Sequence, residues 1–261
     1  GATSEGWLHG VRDCFWIGGG CELAILDLAG ESIWTVEMAR SAIPGCYSPS
    51  NVARGLLVSS TGVIMYSGHD IADLTALPSD TNLWQSIQIP SLYLVNQWPI
   101  KSAVESPDGK YVAVAGRRGL AHYSTASGRW KTFDDPANES EFSVRGGMCW
   151  YQHVLIASVE SGGKYQVRMY SRDKALGLSQ ILHTEELSAP AISTTISGSD
   201  SLLVYTYDNV LLHYIIAPTS SSFRLVQVGQ IGFHGIIRAP PRVRAISWLL
   251  PEEQIEHGDP S

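Results

Sequence analysis

The chain has 261 residues, 44% of them hydrophobic and 16% charged, with 18 basic against 25 acidic side chains and a formal net charge of -7. That apolar content suffices for one large domain or two modest ones with a real core. The acidic balance argues against a nucleic-acid binder, because neutralising phosphates supplies most of the affinity in that class. Cys14, Cys21, Cys46 and Cys149 show neither a Cys-x-x-Cys pair nor a Cys/His cluster at zinc spacing. They read as reduced, mostly buried thiols of a cytosolic protein. No apolar run approaches the ~20 residues that span a bilayer. Gly1-Ala2-Thr3-Ser4 lacks the basic and apolar regions of a signal peptide. With no initiator Met and an abrupt stop after Gly258-Asp259-Pro260-Ser261, both ends read as cut from something longer.

In chain order, short runs rich in Val, Ile, Tyr, Phe and Trp alternate with Gly, Pro, Ser, Asn and Asp, and no stretch holds a 3.6-residue period over three turns. The chain reads as all-β. Residues 14–17, 21–27 and 32–36 are expected to form a first, partial sheet. Gly18-Gly19-Gly20 is a hairpin turn there, since a phosphate cradle would continue as Gly-x-x-x-x-Gly-Lys-Ser/Thr into a helix. Residues 54–58, 63–66 and 84–89 suggest part of another sheet. The clearest unit begins at 100–104, turns at Ser106-Pro107-Asp108-Gly109, and continues through 111–115, 120–123 and 129–133. Pro107 presets the turn and Gly109 takes the left-handed position. Asp134-Asp135 and the acids between 139 and 141 follow as a solvated loop between units, rather than an acid/base or metal pair.

The pattern recurs at 144–150, 153–159, 165–170 and 180–184, with Ser161-Gly162-Gly163 as a turn. It recurs again at 191–196, 201–207, 210–216 and 223–228, where Asp208-Asn209 suits a two-residue primed hairpin turn. Another first strand is expected at 242–246. First strands near 100, 144, 191 and 242 lie 44, 47 and 51 residues apart. A period of ~40–50 residues with four strands per unit is the signature of a β-propeller of the WD-repeat type. The chain is therefore expected to be one propeller domain over 1–261 with four-stranded antiparallel blades. About four blades and two partial ends are visible, as a ring of five, a ring of six, or an open arc.

Chemistry-bearing motifs are scarce. The eight histidines (His9, His69, His122, His153, His183, His213, His234, His257) form no ligand array, and His122 and His213 occupy matching third-strand places as satisfied side chains between sheets. Ser197-Gly198-Ser199 precedes no helix, so it reads as an inter-strand turn and not a nucleophile elbow. Trp98, Trp130, Trp150 and Trp248 recur at first or last strands as packing anchors. Two basic groupings interrupt the acidic average: Arg117-Arg118 on a tip between second and third strands, and Arg238, Arg242 and Arg244 around Pro240-Pro241. They read either as solvated side chains or as patches that meet an acidic partner surface or anionic lipid.

Several stretches resemble one family: Trp98-Pro99-Ile100, Gly119-Leu120-Ala121-His122-Tyr123-Ser124 with Trp130-Lys131, and Pro241-Arg242-Val243-Arg244-Ala245-Ile246-Ser247-Trp248. To these add Asp13-Cys14-Phe15-Trp16 and Trp84-Gln85-Ser86-Ile87-Gln88-Ile89-Pro90. This ordered set is similar to the ribosome-control-protein family, the large subunit of a Golgi exchange complex for a Rab-family GTPase. The resemblance implies a longer parent with N-terminal propellers and a helical solenoid, bound to an arrestin-like partner subunit, and promoting GDP release at Golgi membranes. It carries no catalytic residue, cofactor or metal into this segment, and no nucleic-acid partner. Two other readings stay open. One is a propeller enzyme acting on a small substrate in the central channel, although first strands such as Ala191-Ile192-Ser193-Thr194-Thr195 are apolar or hydroxyl-bearing. The other is a general protein-interaction adaptor.

Overall fold

A computed structural model describes residues 10–248, and the expectations on His9, His257 and both chain ends lie outside them. The described residues hold nineteen strands in five antiparallel sheets, each a meander with sequential neighbours paired. The first has three strands: β1 (Val11–Ile17), β2 (Glu22–Asp27) and β3 (Ile33–Glu37). The second comprises β4 (Arg40–Ser41), β5 (Leu56–Val58), β6 (Gly62–Tyr66) and β7 (Trp84–Gln88). The third comprises β8 (Ser102–Glu105), β9 (Tyr111–Ala115), β10 (Ala121–Ser124) and β11 (Arg129–Lys131). The fourth comprises β12 (Phe142–Tyr151), β13 (Val154–Ser161), β14 (Lys164–Ser171) and β15 (Ile181–Leu187). The fifth comprises β16 (Ala191–Ser197), β17 (Ser201–Thr206), β18 (Val210–Pro218) and β19 (Phe223–Gly232). First strands β8, β12 and β16 neighbour one another in space, as blades around a common axis require.

Two-sided burial explains why these strands do not alternate polar with apolar. In β9, Val112 and Val114 pack toward the second sheet while Ala113 and Ala115 pack toward the fourth. In β13, Leu155, Ala157 and Val159 face the third sheet, and Val154 and Ile156 face the fifth. Side chains of a strand point to opposite faces in turn, so a strand covered on both faces must be apolar at both parities. Trp130 extends the packing by donating Nε1 to the Gln88 carbonyl at 2.8 Å, and Trp150 donates to the Val104 carbonyl at 3.3 Å.

Three helices interrupt the sheets: α1 (Pro49–Arg54), α2 (Ser91–Gln97) and α3 (Pro136–Ser140). All are shorter than the window in which a helical period shows. Arg54, expected to open a strand, instead closes α1. Pro49 and Pro136 sit at the first helical turn, where a missing N–H costs nothing.

Three local expectations are corrected. Residues 242–246 form no strand: a 3-10 turn at Pro240–Arg242 leads into an extended segment, and Val243, Ile246 and Trp248 pack with Phe233 and Ile237 over Leu203, Tyr205 and Leu211. The segment covers the outer face of the fifth sheet. The N–H groups of Arg242 and Val243 are spent within the 3-10 turn, on Ala239 O at 2.9 Å and Pro240 O at 3.0 Å, and so are withdrawn from a ladder. The hairpin at Asp208 is a three-residue loop, because Asn209 alone has positive φ (68°) and its N–H reaches back to Thr206 O at 3.0 Å. The acids after Asp135 are not a solvated loop: Asp135 caps α3 by accepting from Ala137 N at 2.8 Å, Glu139 is buried, and Glu141 pairs with Arg168 at 3.1 Å.

Candidate interaction surfaces

Each meander defines two faces. A sheet's first strand begins on the upper face, which also carries the second-to-third turn and the connection from the preceding sheet. The opposite, lower face carries the other turns. Between β4 and β5 the chain leaves the second sheet, and residues 43–54 run along the inner edges of β8 and β12. Gly45 lies so near β8 that a Cβ there would sit 2.2 Å from Lys101 O. The Cys46 thiol donates to Met148 O at 3.0 Å and accepts from Met148 N at 3.2 Å, so it completes the edge of β12. Burial pushes this thiol up to about 11, which keeps it protonated in that role.

Asn51 does the same for β8. Its Nδ2 donates to Cys46 O at 3.1 Å and Ala103 O at 2.9 Å, and its Oδ1 accepts from Glu105 N at 2.9 Å. Ser50 adds a bond to Glu105 O at 2.6 Å. This inserted segment divides the axis into an upper pocket of about 220 Å³ and a lower one of about 430 Å³, both lined by Tyr47. Beside the lower pocket, Arg54 bonds Glu105 at 2.9 Å and Asp70 at 2.7 Å. Glu105 is fully buried and its Oε2 has no partner. Burial raises its carboxyl to about 7 despite the Arg54 hydrogen bond and charge that lower it.

The upper face carries both basic groupings. Arg117 and Arg118 lie on the β9–β10 turn, exposed, in a cleft of about 450 Å³ shared with Asn96, Gln97, Lys101, Pro136 and Ser140. The turn beneath them is clamped. Arg117 N donates to Gln97 O at 2.7 Å, Arg118 N to Gln97 Oε1 at 3.1 Å, and Gly116 N to Tyr93 Oη at 3.0 Å. Gln97 Nε2 donates to buried Glu139 Oε1 at 2.9 Å. The second grouping lies apart from the cleft: Arg244 lines the upper axial pocket with Arg145 and the bulged Gly146-Gly147, while Arg238 and Arg242 are exposed. Arg145 is paired with Glu160 at 2.6 Å and stacks over Tyr207.

Lys101 and Arg145 escaped the sequence reading because neither adjoins another cation in the chain. The two matching histidines differ: His213 Nε2 bonds Ser201 at 2.8 Å, whereas His122 has a buried, unpartnered Nε2 against Trp150, and burial lowers it to about 4. No group of three or more His, Cys, Asp or Glu among the described residues could hold a metal ion, and no described helix is long and apolar enough to cross a membrane.

Comparison with known proteins finds relatives, solved structures and a family. A fission yeast (Schizosaccharomyces pombe) protein named guanine nucleotide exchange factor subunit ric1 is 29% identical over 66% of this chain and 16% of its own length. The mouse protein named guanine nucleotide exchange factor subunit RIC1 is 34% identical over 36% of this chain, which is 7% of its length. The chain thus spans a small part of these relatives. Among solved structures, the Cps50 (Swd1) β-propeller domain of Myceliophteria thermophila aligns at a TM-score of 0.47 and 14% identity, covering 85% of this chain and 75% of that one. The family described as the RIC1 second beta propeller domain matches residues 59–261, and the chain belongs to that family.

Proposed function

We propose that this chain is a scaffold segment of a guanine nucleotide exchange factor subunit that acts on a Golgi Rab GTPase together with an arrestin-like partner subunit. Residues 1–261 then belong to one propeller domain of a longer protein with a helical solenoid, cytosolic and peripheral at the Golgi membrane. The observation that carries the reading is the family match over residues 59–261, whose curated relatives are named exchange factor subunits. Exchange demands no nucleophile from the factor: it needs tighter binding to the nucleotide-free GTPase than to the GDP form, with reciprocal weakening of GDP. Clamped turns on stacked sheets suit that work, because they hold contact residues in place at little entropic cost on association. Arg117, Arg118, Arg238, Arg242 and Arg244 are the proposed partner contacts on the upper face.

The test is release of fluorescent GDP from purified Golgi Rab proteins. The complete complex should accelerate release from at least one of them, whereas this segment alone should not. No acceleration by the complete complex on any Golgi Rab removes the exchange-factor reading.

A further inference from the structure

We infer that the upper-face cleft between α2 and α3 is a docking site for an acidic segment of a protein partner, with carboxylates on Lys101, Arg117 and Arg118 and an aliphatic side chain on Leu92 and Val95. The inference rests on the partner-holding reading above and adds the place and chemistry of one contact.

Three observations carry it. First, the cleft is lined by three cations and no carboxylate, in a chain of net charge -7. Among the described residues Lys101 and Arg117 have no side-chain partner, and Arg118 spends one donor on Ser140 O at 3.2 Å. Of the nearby acids, Asp135 caps α3 and Glu139 accepts from Gln97, while Glu141 accepts from Ser161 and Arg168 and also feels the charge of Arg118.

Second, the cations stand on rigid ground. The turn that carries Arg117 and Arg118 is bonded to the end of α2 through Gln97 and Tyr93, and Gly116 and Gly119 pack so tightly that a Cβ would lie 2.0 Å from Gln97 O and 2.6 Å from Glu139. Arginines held on a fixed backbone lose less freedom on pairing with carboxylates than arginines on a mobile loop.

Third, Leu92 and Val95 are 81% and 82% exposed and continue onto Asn96, which lines the cleft. Residues 92, 95 and 96 share one helix face by their spacing. An aliphatic stripe beside unpaired cations matches a segment that alternates carboxylates with an apolar residue. Free phosphate would leave the stripe unused, and a flat bilayer would not fill a concave cleft.

The experiment uses the full-length protein that carries this chain and a fluorescein-labelled peptide of repeating Glu-Glu-Leu, read by fluorescence anisotropy. Binding should weaken with added salt, and fall about tenfold or more in Arg117→Glu/Arg118→Glu, a drop of about 1.4 kcal/mol or more. It should also fall severalfold in Leu92→Ser/Val95→Ser, and vanish for a Gln-Gln-Leu peptide. Lys101→Gln and Arg117→Gln, each on an exposed side chain, give the same readout if the double charge reversal fails to fold. Unchanged affinity in folded variants overturns the inference, as does equal binding of the Gln-Gln-Leu peptide. Arginine-dependent capture by anionic phosphatidylserine vesicles without peptide binding overturns it in favour of a membrane contact. GDP release measured on the complete complex built from that full-length protein separates the two claims: exchange without peptide binding refutes the cleft alone, and peptide binding without exchange refutes the exchange-factor reading alone.

Discussion

Asn51→Ala tests how the inserted segment is held at the axis. Asn51 is 1% exposed, and its amide meets two carbonyls and one N–H that belong to the insertion and to β8. Each such bond contributes roughly 1 kcal/mol net, but a buried partner left unpaired costs about 1–3 kcal/mol. Three groups would lose their partner at once, so the expected destabilisation is about 3–5 kcal/mol, less than their simple sum because water enters part of the space. With a urea slope of about 3 kcal/mol/M, the denaturation midpoint should fall by about 1–2 M. Asn51→Asp keeps the acceptor for Glu105 N but points a second oxygen at the Cys46 and Ala103 carbonyls. It should therefore be at least as damaging at neutral pH and less so in acid, where the protonated carboxyl donates one bond. Hydrogen exchange at the Glu105 amide should rise in Asn51→Ala. A midpoint within about 0.3 M of the parent, equivalent to about 1 kcal/mol at that slope, would refute the reasoning and show that the insertion is held by its apolar contacts.

The remaining predictions concern charge and close packing. Glu105, raised to about 7 in the fold, binds its proton more tightly there than in the unfolded chain, so its contribution is full below its ordinary value of 4.5 and is lost as pH rises through 7. His122, lowered to about 4, has the opposite sign: its contribution is full above 6.5 and is lost as pH falls through 4. Between pH 4.5 and 6.5 the two oppose each other. Glu105→Gln should make stability climb more steeply with pH, and His122→Phe should flatten or reverse the climb, each by up to about 1.4 kcal/mol per pH unit in denaturation titrations. Unchanged slopes would contradict both assignments. Gly116→Ala should destabilise by about 2 kcal/mol or more, because its Cβ would meet the Gln97 backbone carbonyl at 2.0 Å, which cannot swing aside as a side chain can; a neutral result by thermal melting would mean that the turn is not clamped. Trp130→Phe removes the Nε1 bond to Gln88 O that ties the second and third sheets, and should cost about 1 kcal/mol by urea titration.

Local signals were legible where a residue's role depends on its immediate neighbours. Ser106-Pro107-Asp108-Gly109 forms its expected turn, with Gly109 at φ 69° and its N–H on Ser106 O at 2.9 Å. Ser197-Gly198-Ser199 joins β16 to β17, and Gly18–Gly20 joins β1 to β2, as their turn residues imply. The misread acids show the limit: Glu139 and Glu141 look solvated in sequence, yet their partners Gln97 and Arg168 lie 42 and 27 positions away.

What the amino-acid order determined by itself is the repeat. Strands apolar at both parities must be covered on both faces, and in a chain with no long helical period the cover is other sheets; the spacing of turn residues sets four strands to a unit. Tertiary structure alone decided what stands at the axis and on the faces. Residues 43–54 fill the axis, 242–248 cover the last sheet instead of beginning another, and Lys101 joins Arg117 and Arg118 in one cleft. Such placements arise from contacts between residues distant in the chain, and their energies come from unpaired edges and neighbouring sheets that no local pattern encodes.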